Sequence, residues 1–229
     1  MTHKLCEQCI IRQFNALKSM NGCELKKVSQ LKESKTIKKG EKLILEGEKL
    51  NGVYCVSSGV TKLAKLGVNG KDQILKLAAK GELLGKHSLI NKERSRIEVT
   101  ALEDVDFCYI PNEAIENVLK ENPNFSIGIL QESLKELTQT EEFLLNITHL
   151  NTRQRIAHIL LYIQTFGTDD KGFFRLTLSR EEIASIAGIA NESAIRMLST
   201  FKKENLIQTA KRKIGIQNFE VLKKIAEGF

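Results

Sequence analysis

The sequence predicts an α+β protein in three parts: an N-terminal antiparallel β domain, a long helix, and a C-terminal helical domain ending in a β hairpin. Three observations carry this prediction. Glycines at 40, 47, 52, 59, 67, 70, 81 and 85 punctuate short β-rich runs between Thr36 and Tyr109, the spacing of an antiparallel sandwich or barrel. From Pro123 the apolar residues recur at alternating steps of three and four, as on one face of a helix. Beyond Leu178, two short amphipathic segments flank a glycine and lead into a basic, β-prone run. The expected boundaries are 1–122 for the N-terminal arm and β domain, 123–150 for the long helix and 151–229 for the C-terminal domain.

The chain of 229 residues is 41% hydrophobic and 28% charged with only 2 prolines, enough apolar content to bury a core and too much for wholesale disorder. Its longest near-continuous apolar stretch, Ile183 to Ala190, covers 8 residues, well short of the ~18 needed to cross a bilayer. The first 20 residues hold two cysteines and an arginine but no apolar core of a secretion signal. Five cysteines, an odd number without dense spacing, suit a reducing compartment. A cytoplasmic protein without a membrane partner is expected. The formal charge is +7, and residues 151–229 hold 13 Lys and Arg against 8 Asp and Glu. That excess suits either an anionic partner or a solvated basic surface.

Taken in order, Asn21 and Glu24 have capping-box spacing, and Leu25, Val28 and Leu31 follow at helical intervals, so a short helix spans 21–33. The runs Val53–Val56, Val60–Leu63, Gln73–Leu77 and Ile97–Thr100 read as strands, with Asn69-Gly70 as a hairpin turn. Helical texture resumes at Pro111–Ile115, and Pro123 suits the first turn of the long helix. Along that helix Ile127, Leu130, Leu134, Leu137 and Leu144 form a narrow seam, interrupted by Glu141. Such a seam suits a partner helix, and a homodimer is the simplest source of one. Another amphipathic helix, Thr152–Thr165, precedes a Gly- and Asp-rich loop and a short strand, Phe174–Leu178.

Residues 179–203 contain the most specific pattern. Ser179 and Glu182 form a second capping box, Gly188 supplies a turn, and a further helix opens near Ala190-Asn191. Its inward face is Ala194, Met197, Leu198 and Phe201; its outward face shows Glu192, Ile195, Arg196 and Ser199. Two helices joined by a tight glycine turn describe a helix-turn-helix, whose second helix enters the major groove of double-stranded DNA. Arg196 can present a bidentate fork to guanine, and Glu192 can accept from the cytosine amino group. Asn191, Lys202, Lys203 and the run Lys211-Arg212-Lys213 suit phosphates, the last as a basic turn between two strands of a β wing. The rival reading is a plain helical hairpin in which Glu192 and Arg196 form an i,i+4 pair.

With those residues in place, the chain resembles the CRP/FNR superfamily of bacterial transcription regulators over about residues 20–226. The resemblance rests on KKGEKLILEGE (38–48), LNGVYCVSSGVTKL (50–63), KGELLG (80–85) and LTLSREEIASIAGIANESAIRML (176–198). It implies a jelly-roll-like β-roll of the cyclic-nucleotide-binding type, a dimerisation helix, a winged helix-turn-helix, a near-palindromic operator and contact with RNA polymerase. Glu192 and Arg196 fall on base-reading positions, and Ile195 falls where some members carry another base-contacting side chain. The effector pocket would include Gly81, Glu82, Lys86, Arg94, Ser95 and Arg96. Cyclic-AMP-binding members carry a ribose-binding glutamate where this chain has Lys86. Their phosphate-holding Arg-Ser pair falls opposite Ser95 and Arg96, or opposite Arg94 and Ser95 after a one-residue slip. Cyclic AMP is therefore disfavoured.

Oxygen-sensing members hold a [4Fe–4S] cluster with three N-terminal cysteines, spaced C-x2-C-x5-C, and one more near the end of the β-roll. By resemblance Cys6 and Cys9 match the leading pair and Cys108 the last ligand, while Asn15 occupies the third position. The next cysteine along the chain is Cys23, which a flexible arm can bring in, so the expected set is Cys6, Cys9, Cys23 and Cys108. The alternative is that Cys55 and Cys108 are core packing and no cluster binds. A four-cysteine zinc site lacks a second Cys-x2-Cys.

Enzymatic motifs are missing. There is no Gly-x-Gly-x-x-Gly, Walker A, His-Glu-x-x-His or Gly-x-Ser-x-Gly sequence, and a non-enzyme is expected. Two other readings stay open: a redox protein working mainly through its N-terminal cysteines, and a ligand-binding dimer that ignores DNA.

Overall fold

The computed structural model describes residues 5–67, 70 and 72–228. The chain packs as two units, Met1–Lys65 with Lys76–Gln139, and Leu66–Leu75 with Thr140–Phe229.

The N-terminal arm is a succession of 3-10 turns at Cys6–Gln8, Ile10–Phe14 and Ala16–Ser19. It leads into α1 (Gly22–Leu31), where the Asn21/Glu24 capping box forms in full. The β domain comprises β1 (Glu33–Ile37), β2 (Lys42–Ile44), β3 (Gly52–Ser58), β4 (Thr61–Leu66), β5 (Asp72–Ala78), β6 (Leu83–Leu84), β7 (Glu98–Ala101) and β8 (Val105–Pro111), with α2 (Lys86–Asn91) between β6 and β7. Two four-stranded sheets result, ordered β1-β8-β3-β6 and β2-β7-β4-β5. The glycine-punctuated text is thus the expected antiparallel β-roll. Asn69, half of the expected hairpin turn, lies outside the described residues.

Side chains alternate across each strand, and the alternation divides the core in two. Ile44, Val56, Ala78, Leu84, Val99, Ala101 and Val105 form one buried cluster, drawn from both sheets. Val53, Cys55 and Ile110 point the other way, into a second cluster with the arm, α1, α3 (Asn112–Glu121) and the start of α4 (Pro123–His149). Cys55 is therefore buried beneath the arm and helices and is absent from the cluster that joins the sheets. On α4, Phe125, Gly128 and Ile129 are buried, whereas Ile127, Leu130, Leu134, Leu137 and Leu144 are all exposed. The predicted seam is a bare apolar stripe.

The C-terminal part contains α5 (Thr152–Gln164), α6 (Arg180–Ala187), α7 (Asn191–Lys203), β9 (Ile207–Ala210), β10 (Lys213–Ile216) and α8 (Phe219–Glu227). Helix α5 packs against α6, α7 and α8 through fully buried Ile156, Leu160 and Ile163. The expected strand at 174–178 does not form. Phe173 and Phe174 make only isolated bridges, to Gly215 and Thr168, because Phe174 N donates to Ile214 O at 2.8 Å before the chain turns away.

Candidate functional site

The start and stop of α6 have local causes. Ser179 caps α6 by accepting from the Glu182 amide at 3.0 Å, and the Glu182 carboxylate answers by accepting from the Ser179 amide at 2.8 Å. Helix α6 ends at Gly188, held at φ 62°, a left-handed conformation open to glycine at little cost. Helix α7 then buries Ala194, Leu198 and Phe201; full burial of a residue such as the last two contributes roughly 1.5–3 kcal/mol. That anchorage fixes which face looks outward. Glu192, Ile195, Arg196 and Ser199 are all exposed, and among the described residues the Glu192 and Arg196 side chains have no ion pair or hydrogen bond. The i,i+4 pair of the rival reading is not made. A bidentate contact from Arg153 to Glu204, at 3.0 and 2.5 Å, ties α5 to the end of α7, and the same guanidinium lies 5.0 Å from the Phe201 ring.

The wing is present as β9 and β10, paired antiparallel with Lys213 opposite Ala210. Gly215 must be glycine, since a Cβ there would meet Gly172 O at 2.4 Å. Lys211 and Arg212 form the exposed turn, Lys211 at φ 53°. Lys213 differs from them: its ammonium is 2.8 Å from Asp169. That contact, helped by backbone N–H donors of Phe173 and Lys171, holds the Asp169 carboxyl below its ordinary value. Among the expected phosphate contacts, Lys202, Lys203, Lys211 and Arg212 are exposed, with side chains unpaired among the described residues. Lys213 already has a partner.

The expected effector pocket divides into two groups. Lys86 is buried, with its ammonium 3.0 Å from Glu136 and 3.5 Å from Glu132 of α4. Lys76 lies 2.9 Å from both Glu82 and Glu136. Burial works to raise the Glu136 carboxyl, but Lys76 and Lys86 together outweigh it and hold the group below the ordinary range. Glu132 goes the other way, raised by burial that Lys86 only partly offsets. Gly81 is covered by the arm: Phe14 would strike a Cβ there at 2.5 Å, and Asn15 donates to Gly81 O at 3.0 Å. The other three residues are engaged locally. Arg94 donates to Gly47 O at 2.9 Å, Ser95 to Ile97 O at 2.7 Å, and Arg96 pairs with Glu93 at 2.7 Å.

The thiols depart from expectation in one respect. Cys6 and Cys55 are buried in the cluster beneath the arm, with Cys9 and Cys108 half-buried against it, whereas Cys23 is exposed on α1. Cys55 on β3 lies directly opposite Cys108 on β8, and Asn15 Nδ2 stands 3.4 Å from Cys55 Sγ. Burial pushes the Cys55 thiol up to about 12; Cys108, Cys9 and Cys6 add to the rise and Asn15 opposes it. The donor set fits a thiolate-bound centre. The Arg12 Nε in the same arm is buried without a partner, a cationic donor suited to an anionic occupant. Among the described residues no three side chains already stand close enough together to hold a metal ion. The apposition of Cys55 and Cys108 is not visible in the sequence, because the pairing of β3 with β8 is non-local.

A helix-turn-helix with a polar outer face and a basic wing, following a β-roll and a long helix, defines a DNA-binding transcription regulator. Residues 34–122 match the cyclic nucleotide-binding domain family and residues 154–225 the Crp-like helix-turn-helix domain family. The chain belongs to the CRP/FNR superfamily. It is 27% identical over 226 residues to the fumarate and nitrate reduction regulatory protein of Yersinia pestis, covering 96% of this chain and 90% of that one. The anaerobic regulatory protein of Aggregatibacter actinomycetemcomitans is 26% identical over 222 residues, 95% of this chain and 86% of that one. In fold it is similar to FixK2 from Bradyrhizobium japonicum, with a TM-score of 0.76 at 22% identity over 85% of this chain and 96% of that one. A putative CRP/FNR-family regulator from Eubacterium rectale gives 0.78 at 20% identity, over 93% and 97%. Among the described residues no helix is long and apolar enough to cross a membrane.

Proposed function

We propose that this regulator acts as a cytoplasmic homodimer on a near-palindromic operator, and that N-terminal thiols holding a [4Fe–4S] cluster report oxygen or redox state to it. RNA polymerase is its partner by family resemblance, and its likeness to fumarate and nitrate reduction and anaerobic regulatory proteins supports a role in anaerobic regulation. The observation that carries the DNA reading is the outward face of α7, where Glu192 and Arg196 lie one turn apart, exposed and without an internal partner. Unsatisfied guanidinium and carboxylate groups at that spacing suit base edges in a major groove.

Sensing and dimerisation share one helix. The arm carrying Cys6 and Cys9 reaches α4 at Ala16, whose Cβ would lie 3.2 Å from a Cβ placed on Gly128 and whose N–H donates to Glu132. Another face of that helix carries the exposed Ile127, Leu130, Leu134 and Leu137. When bound, a cluster supplies an oxygen-labile redox centre. The arm residues give thiolates and transmit any rearrangement to α4, which sets how two copies pair.

The test is selection of bound sites from random duplex DNA, run with and without oxygen. Inverted repeats with half-site centres about one helical turn, ~34 Å, apart are expected, recovered more strongly in one atmosphere. Leu134→Glu should give a monomer in sedimentation and lose the repeat. Failure to enrich any sequence would overturn the reading.

A further inference from the structure

We infer that Cys55 on β3, and not Cys23, completes the thiolate set, so that the metal centre is held by Cys6, Cys9, Cys55 and Cys108. The inference rests on the cluster reading above and goes beyond it by assigning the ligands.

Five observations converge. The arm has Asn15 where the Cys6–Cys9 spacing would place a third cysteine. The structure sets the Asn15 amide 3.4 Å from Cys55 Sγ, so the strand offers a thiol at the place where the arm lacks one. Cys55 and Cys108 are direct cross-strand partners, and directly opposed residues put their Cβ atoms ~4.5–5.5 Å apart on one face. Cys6 and Cys9 pack into the same cluster. Cys23, on the first turn of α1, is exposed and outside it.

The set thus divides into a fixed pair and an adjustable pair. Cys55 and Cys108 sit on neighbouring hydrogen-bonded strands, whereas Cys6 and Cys9 flank short 3-10 turns. Such turns are poorly hydrogen-bonded and yield readily, so the arm can close its two thiols over the rigid pair. Each thiol gives its proton to solvent as it takes metal. Iron and sulfide come from solution: two ferrous ions, two ferric ions and four sulfides with the four thiolates give the [4Fe–4S]2+ state with no net electron transfer. Four cysteines are what a [4Fe–4S] centre takes.

The test uses the full chain, reconstituted anaerobically with equal amounts of ferrous and ferric iron and with sulfide, then desalted. Readouts are visible absorbance, iron and sulfide per chain, and thermal unfolding as a folding control. Wild type and Cys23→Ala should load alike, with about four irons per chain. Cys55→Ala should keep its melting transition but retain on the order of tenfold less iron. Asn15→Cys/Cys55→Ala should recover the chromophore, because the thiol is returned to the adjoining position. In loaded wild type, Cys23 should react with iodoacetamide. Equal loading of Cys55→Ala and wild type, or protection of Cys23 on loading, overturns the ligand assignment alone. Wild type that takes up no iron overturns the cluster reading as well.

Discussion

The β-roll and the wing use the same residue types in opposite ways. Lys76 and Lys86 are met by Glu82, Glu132 and Glu136 within 3.5 Å, so their charge is spent inside the fold. In the C-terminal part Arg153, Arg155 and Arg175 are likewise engaged, with Glu204 or with backbone carbonyls. Arg196, Lys202, Lys203, Lys211 and Arg212 have no side-chain partner among the described residues. Net charge therefore understates the contrast. On α7 and at the wing turn the fold leaves a group of cations without a side-chain partner among the described residues, which is what the proposed DNA-reading surface requires.

Breaking the internal network should have the largest effect on stability. Lys86→Ala would leave Glu132 and Glu136 facing each other without their shared cation. Removing one partner of a buried pair costs about 3–5 kcal/mol, and the glutamates retain 23% exposure, so about 2–3 kcal/mol is expected in urea unfolding. A loss under about 0.5 kcal/mol would mean the cluster is solvated. The opposite test is Arg196→Ala. It should leave unfolding unchanged and weaken specific binding by about 2 kcal/mol in a titration against the selected operator, relaxing preference at one base pair per half-site. Equal loss on random DNA would show that Arg196 touches phosphate.

Titration sharpens the same comparison. The folded Glu136 carboxyl is held below its ordinary value, so its contribution is present above the unfolded carboxylate range and is lost as pH falls through the depressed folded value. Lys76 opposes burial through Glu82 and Glu136 and ends above its ordinary value; its contribution is complete below the unfolded lysine range and fades as pH rises through the folded one. Stability of the β-roll should therefore fall at both extremes. Glu136→Gln should flatten the acid limb, read from melting temperature against pH.

How much of this the sequence reveals depends on the range of the interactions. The helix-turn-helix was legible almost to the residue, because Ser179, Glu182, Gly188 and the Ala194–Phe201 spacing act within one or two turns. The seam on α4 was legible for the same reason. The strand expected at 174–178 failed because its β-prone residues make one hydrogen bond to β10 and find no further edge to pair along. For the expected pocket residues, nothing local announces that Lys86 is met by glutamates some fifty residues away. Cys55 looked like ordinary strand packing until its register opposite Cys108 and the fold of the arm over it were known.

The smallest effect lies within the wing, where two adjacent cations differ. Arg212 is unpaired and should contribute a full phosphate contact, so Arg212→Ala should reduce the slope of log affinity against log salt by about one. Lys213 must first leave Asp169, to which it is bound at 2.8 Å; whatever it gives a phosphate is offset by that lost contact. Lys213→Ala should then change the slope by well under one, and specific and random DNA should respond alike. Equal slopes for the two variants would show that the ion pair with Asp169 opens freely in solution, and the distinction between neutralised and available charge would fail at the one position where the fold draws it most finely.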